Sequence, residues 1–285
     1  MKDTRILIVA TFCLIAAALT GCSSSNPQEG KALTKPVPEG WKKFHWPQGK
    51  RAAISLSFDD ARASQVDCGL PILDAYDVKA TFYVLPGPVE KKLTDWQKAV
   101  TAGHEIGNHT LTHPCSGNFS LRNALENYTL NMIANEMDRA SETIEQLLGV
   151  RPTTFAYPCG QTFVGRGKAV KSYVPLVAER FIAGRRWRDE HDNDPAFCDL
   201  AQVMGIEFDG LDFEQTKKLI DKAAEKGRWL VLCGHEIGQP GRRQTTLAST
   251  LDALCKYAQD PNNGIWIDTV ESIGSYIMQQ RAGCK

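Results

Sequence analysis

From residue 50 onward, short apolar runs alternate with segments of helical periodicity, and this alternation constrains the fold more than any other feature. AAISLSF (52–58) reads as a buried strand and DCGLPILDAYD (67–77) as a helix after it. KATFYVLP (79–86) is a second strand, followed by the helical TDWQKAVTAG (94–103) and a short third strand in HEIGNH (104–109). Residues 121–148 carry apolar side chains at helical spacing, closed by Gly149 and Pro152, and predict one long helix. TTFAYP (153–158), FIAG (181–184), RWLVLCG (228–234) and GIWID (264–268) read as further strands, with helices over 167–180, 213–227, 246–260 and the C-terminal segment. Such β-α alternation predicts a parallel sheet or barrel with right-handed crossovers. No linker interrupts it, so residues 50–285 are expected to form a single α/β domain of barrel size.

The first residues obey a different pattern. Lys2 and Arg5 precede an apolar run from Ile6 to Leu19, too short for a membrane span and suited to the hydrophobic stretch of an export signal. The run ends in LTGC, which resembles the bacterial lipobox, so residues 1–21 read as a signal peptide and Cys22 as the lipid-modified first residue of the mature chain. Ser23 after it leans toward outer-membrane sorting in a Gram-negative cell. Residues 22–49, starting with a Ser-, Pro- and Gly-rich stretch, are expected to tether the domain to the membrane from outside the cytoplasm. The chain holds 33 basic and 33 acidic residues, so no electrostatic footprint points to nucleic acid.

Of the nine cysteines, seven lie beyond Cys22: Cys68, Cys115, Cys159, Cys198, Cys233, Cys255 and Cys284. Export permits disulfides, and the odd number leaves at least one thiol free. There is no C-x-x-C pair, which argues against a zinc ribbon or a thioredoxin-like motif.

In a parallel β/α architecture the chemistry sits at the carboxyl ends of the strands. SFDDA places Asp59 and Asp60 at the end of the first strand, and NHTLTH places His109 and His113 after the third. FAYPCG places Tyr157 after the fourth, and LCGHE places His235 after a late apolar strand. Each fragment has an ordinary explanation. Paired aspartates at a strand end are often turn formers or helix caps, and a lone H-x3-H is more often structural than metal-binding. Taken together, two imidazoles and a carboxylate make an open three-ligand set, a second carboxylate can take a proton from water, and a third imidazole can give one to a leaving group. HEIGNH has one residue too many for a zincin helix, and His104 within it reads as a packing residue. His45 and His191 fall in expected loops.

The ordered set SFDDA, NHTLTHP, FAYPCG and LCGH resembles the motifs of the polysaccharide deacetylases, carbohydrate esterase family 4, over residues 50–270 or so. The resemblance implies a distorted (β/α)7 barrel and metal-dependent removal of N- or O-acetyl groups from a carbohydrate polymer. It implies that Asp60, His109 and His113 bind one divalent ion, zinc or else cobalt or nickel. It makes Asp59 the general base and His235 the general acid, and it sets Tyr157 along the substrate groove with its backbone N–H available to an oxyanion. Ala156 stands where the family pattern has an arginine that positions the base, and GRRWRDE offers Arg185, Arg186 or Arg188 in its place. The partner of His235 is open among Asp189, Asp199 and Asp209. Ala61 replaces the glycine of the first motif. Cys115 and Cys159 fall inside motifs, and a disulfide between them could brace the site. Two rival readings remain at this point: a glycan-binding surface lipoprotein without turnover, and a metal hydrolase of some other amide or ester.

Overall fold

The computed structural model describes residues 44–283. The expected signal peptide, Cys22 and most of the expected tether therefore lie outside the described residues. Eight strands share one sheet: β1 (Ala52–Asp59), β2 (Thr81–Val84), β3 (Glu105–Asn108), β4 (Thr154–Ala156), β5 (Ala183–Arg185), β6 (Ile206–Glu207), β7 (Trp229–Gly234) and β8 (Ile265–Ile267). All pair in parallel, in the order β5-β4-β3-β2-β1-β7-β6, with β8 beside the first half of β1. The two ends of this order also meet. Val203 N–H donates to Gly184 O at 2.8 Å and Arg186 N–H donates to Val203 O at 2.7 Å, just before the chain enters β6. The sheet thus curls into a distorted seven-stranded barrel with β8 as an added short strand, the architecture the alternation and the family resemblance predicted.

β1 is buried along its whole length, as expected of a central strand covered on both faces. Its Ile54, Leu56 and Phe58 join Phe82, Trp96, Leu73, Ile220 and Leu251 in the largest apolar cluster, between the sheet and the surrounding helices. Its two buried serines are satisfied: Ser57 Oγ donates to Leu232 O at 3.0 Å, and Ser55 Oγ accepts from Trp229 Nε1 at 3.1 Å. The helices are α1 (Leu70–Ala75), α2 (Pro86–Lys91), α3 (Leu93–Thr101), α4 (Leu130–Leu148), α5 (Val174–Arg180), α6 (Phe213–Lys226), α7 (Ala248–Ala258) and α8 (Val270–Ala282). α6 shows why such segments begin where they do. Asp212 and Gln215 form a reciprocal capping box, and Gly227 at φ +70° ends the helix.

Three expectations change. The helix read over 121–148 starts only at Leu130, capped by Thr129, whose side chain accepts from Met132 N–H. Upstream, Cys115 N–H donates to Asn123 O at 3.2 Å and Leu125 N–H to Cys115 O at 2.8 Å, so this backbone is committed to a loop. The helix read over 167–180 starts at Val174, with Pro175 in its first turn, because Lys171–Ser172 pairs with Phe163–Val164 instead. Finally, the folded region reaches back into the segment read as tether. Trp46 is buried against Trp266, Tyr276 and Phe44, and its Nε1 donates to Gly227 O at 3.1 Å. Among the described residues, no helix is long and apolar enough to cross a membrane.

Candidate active site

The turn after β1 fixes the first two polar groups. Asp59 is the last residue of the strand, and Asp60 and Ala61 follow with φ of +77° and +50°. Two successive non-glycine residues in the left-handed region are uncommon and cost free energy that the surroundings must offset. The Asp60 N–H bond to Tyr83 O at 3.0 Å helps to hold them. Ala61, where the family pattern has glycine, is thus one of the two residues in this conformation.

The histidine pair lies on a loop after β3, and side chains from α4 build that loop. Asn108 donates to Met137 O and Ser141 Oγ, both at 2.8 Å, and accepts from Thr110 N–H at 2.8 Å. Glu136 accepts from the N–H groups of Leu111 and Thr112 at 3.0 and 2.8 Å and from the Thr112 hydroxyl at 2.9 Å. Thr110 and His113 take φ of +66° and +55°, and His113 N–H donates to Thr110 Oγ1 at 3.0 Å. The buried His109 sets its Nδ1 2.9 Å from Ala156 O; a carbonyl only accepts, so Nδ1 carries the proton and Nε2 is left as a donor atom.

These elements converge on one point. Asp60 Oδ1 lies 3.6 Å from His109 Nε2 and 3.7 Å from His113 Nε2. Ligands about 2.0–2.2 Å from a tetrahedral ion are separated by roughly 3.3–3.6 Å, close to both carboxylate–imidazole separations, and all three donor atoms lie within 4.8 Å of one another. Two imidazoles and a carboxylate suit Zn²⁺, Co²⁺ or Ni²⁺. Burial works to raise the Asp60 carboxyl, but His109, His113 and Arg62 outweigh it and hold the group at about 2. Burial first, and then the neighbouring His109, push His113 down to about 4, which keeps it neutral and able to ligate at neutral pH.

Asp59 belongs to the same cluster of side chains. Its Oδ2 lies 3.9 Å from His109 Nε2, while its Oδ1 accepts from Arg185 Nη2. Arg185 is fully buried, donates to Arg186 O at 3.1 Å, and stacks over the Tyr83 ring at 4.9 Å. Burial opposes its charge, but Asp59 prevails and raises its pKa. The register explains the substitution noted in sequence: Ala156 on β4 pairs directly with Arg185 on β5. The guanidinium reaches Asp59 from the next strand at the same level. Arg186 instead pairs with Asp189 at 3.0 Å, and Arg188 with Glu207 at 3.0 Å, so neither orients Asp59.

After β7, His235 Nδ1 lies 2.7 Å from Asp209 Oδ2, and Asp209 also accepts from His235 N–H and from Thr246 Oγ1. Asp209 is therefore the partner that Asp189 and Asp199 are not. The Trp187 ring packs edge-on against His235, with centroids 4.9 Å apart.

The expectation for Tyr157 is corrected. Its side chain is fully buried, its hydroxyl donates to Ala201 O at 2.7 Å, and its N–H donates to Arg185 O at 3.0 Å. The barrel pairing that brings Arg185 into place consumes the amide expected to serve an oxyanion, and the ring faces Phe155 and Tyr173 rather than a groove. Cys115 and Cys159 form a disulfide that ties the histidine loop to the segment after β4.

Sequence reasoning passed over Arg62 and Gln244. Arg62 donates to Asp60 Oδ2 through Nε and Nη2 at 3.1 and 2.8 Å, which leaves Oδ1 for the histidines. Its Nη2 also donates to Gln244 Oε1 at 3.1 Å, and Gln244 Nε2 lies 3.4 Å from His235 Nε2. Arg62 was visible three residues past Asp59, but nothing local distinguishes it from a solvated surface arginine.

Comparison with known proteins agrees with this geometry. Residues 47–173, which carry Asp59, Asp60, His109 and His113, match the model of the family described as Polysaccharide deacetylase. Over residues 47–173 the chain is similar to the polysaccharide deacetylase family. Among curated relatives, Bacillus subtilis YlxY, itself uncharacterized, is 37% identical over 118 residues, covering 41% of this chain and 32% of the relative. The peptidoglycan-N-acetylglucosamine deacetylase PgdA of Listeria monocytogenes is 30% identical over 125 residues, covering 44% of this chain and 24% of the relative. The chain thus spans a third or less of the length of these two proteins. A probable polysaccharide deacetylase from Pseudomonas aeruginosa shares the fold with a TM-score of 0.60 and 17% identity, over 85% of this chain and 95% of that one.

Proposed function

We propose that this protein acts as a polysaccharide deacetylase, a metal-dependent hydrolase that removes acetyl groups from a carbohydrate polymer and releases acetate. The observation that carries this reading is the meeting of Asp60 Oδ1 with His109 and His113 Nε2 at 3.6 and 3.7 Å, beside an Asp59 anchored on Arg185. Asp60, His109 and His113 would hold one divalent ion, with Zn²⁺ first and Co²⁺ or Ni²⁺ as alternatives. The bound ion supplies a Lewis acid for the acetyl carbonyl and the attacking water. Asp59 accepts the proton of that water through Oδ2, the oxygen Arg185 leaves free. His235 gives a proton to the departing amine or alcohol, and Asp209 steadies the imidazolium by accepting from its Nδ1.

The reading without turnover rested on the missing arginine at Ala156, and Arg185 supplies that guanidinium from the adjacent strand. PgdA acts on peptidoglycan N-acetylglucosamine by its name, which makes peptidoglycan fragments the first substrate to try, with chitin-like and acetylated xylan oligomers beside them. The N-terminal sequence supports an extracytoplasmic protein anchored through lipid on Cys22, and Cys22→Ser should release it to the soluble fraction. The deciding assay is acetate release from this glycan panel with and without chelator. Bound metal with no acetate released from any member would sink the enzyme reading.

A further inference from the structure

The two ring nitrogens of His113 face different partners. Nε2 faces Asp60 Oδ1 at 3.7 Å, and Nδ1 lies 3.5 Å from Cys115 Sγ. His109 ties its second nitrogen to the Ala156 carbonyl, the usual way of fixing a ligating imidazole. The donor atoms of His113, Cys115 and Cys159 all lie within 4.8 Å of one another. Zn–S and Zn–N distances of about 2.3 and 2.05 Å at a tetrahedral angle place sulfur and nitrogen about 3.6 Å apart, close to the Cys115–His113 separation. In the disulfide each sulfur is bonded to the other, so neither is a thiolate ligand.

We propose that reduction of the Cys115–Cys159 bridge creates a second metal site, formed by the two thiolates and His113 Nδ1, that takes a thiophilic ion such as Zn²⁺. The site rests on the proposed reading of the active site only in sharing His113 with it. Cys159 is half-buried and Cys115 fully buried, so a dithiol reductant attacks Cys159 Sγ and expels the Cys115 thiolate. A mixed disulfide forms between Cys159 and the reductant. The reductant's second thiol then closes its own disulfide and expels Cys159, leaving two cysteine thiols and one oxidised reductant. Ion binding releases the two thiol protons to solvent. Because the sulfurs belong to the loop that carries His113 and to the segment after β4, the ion would draw the histidine away from Asp60. The intact bridge would then protect the carboxylate–imidazole set from capture by soft metals, and the redox state of the pair would govern which site His113 serves.

The test uses Co²⁺ as the probe on the folded protein, oxidised or reduced with dithiothreitol and freed of reductant without air. Thiolate-to-cobalt charge transfer in the near ultraviolet reports sulfur ligation directly. Reduced wild type should show the band and oxidised wild type should not. Reduced Cys159→Ser and reduced His113→Gln should each bind the sulfur-ligated ion at least ~10-fold more weakly. Reduced His109→Ala should keep the band, since it lacks only the other site. Circular dichroism identifies any variant that fails to fold, and His113→Gln keeps both thiols where the cysteine variant does not. A cobalt spectrum unchanged by reduction overturns the proposal. Loss of cobalt binding by the oxidised protein, with the band still present after reduction, would overturn the active-site reading instead and leave this site standing.

Discussion

Replacing Arg185 by methionine removes the cation while keeping an unbranched apolar stem in the buried space. Arg185 is fully buried and the Asp59 side chain is 4% exposed, so the variant strands a buried carboxylate without its guanidinium partner. Breaking a buried ion pair from one side costs about 3–5 kcal/mol, because the partner's desolvation is no longer offset. For a domain of this size, each kcal/mol lowers Tm by roughly 2–4 °C, so a fall of roughly 6–20 °C is expected. Urea denaturation of Arg185→Met, Asp59→Asn and the double variant separates pairing from packing. The double variant should be less destabilised than the two single losses summed, with a coupling of about 2 kcal/mol or more. In parallel, Arg185→Met should lower kcat for acetate release by on the order of 10²-fold, as an unoriented base would. A stability loss below about 1 kcal/mol, or additivity in the cycle, would refute the claim that Arg185 stands in for the arginine missing at Ala156.

Three further outcomes follow from the structure. Burial pushes Glu105 up to about 7, although Thr81, Thr154 and the Glu271 N–H all donate to it. The folded state then retains a proton that the unfolded chain releases near 4.5, so stability is highest below that pH and falls by about 3 kcal/mol as pH rises to 7; Glu105→Gln should abolish the fall, and a pH-independent stability difference between the two proteins would contradict the assignment. Glu136→Ala frees two loop amides and should weaken metal binding about 10–100-fold in calorimetry while Glu136→Gln recovers part of it; equal affinity in all three proteins would show that the histidine loop holds itself. Reducing the Cys115–Cys159 bridge, which closes a sequence separation of 44, should cost about 4 kcal/mol of stability, read as a lowered denaturation midpoint; an unchanged midpoint would mean that the unfolded chain gains no freedom from reduction.

Much of this was legible in the chain, for identifiable physical reasons. β1 could be read because a central parallel strand must be apolar along its length, and the barrel rule then placed Asp59 and Asp60 at its functional end. The H-x3-H spacing located the histidines, yet not their loop conformation, which depends on Glu136 and Asn108 reaching across from or into α4. Arg185 could be named only among three arginines, since the choice lay in the cross-strand register between Ala156 and Arg185. Asp209 likewise became distinct from Asp189 and Asp199 only when β7 set His235 beside it. Tyr157 misled because its place in a motif says nothing about what its amide pairs with; the barrel hydrogen bond to Arg185 O decided that. The late start of α4 had the same origin, as backbone bonds around Cys115 withdrew residues with adequate helical spacing.

The central claim, that Asp60, His109 and His113 hold an ion which this chain uses to release acetate, is tested most directly by metal reconstitution. Oxidised, metal-depleted protein is titrated with Zn²⁺ while bound metal and acetate released from N-acetylglucosamine-containing oligomers are measured in the same samples. Acetate release should be absent at the start, rise with bound zinc and level off at one equivalent, and His109→Ala should lose binding and release together. Full acetate release from the metal-depleted protein, or stoichiometric zinc with no release from any acetylated glycan, would contradict it.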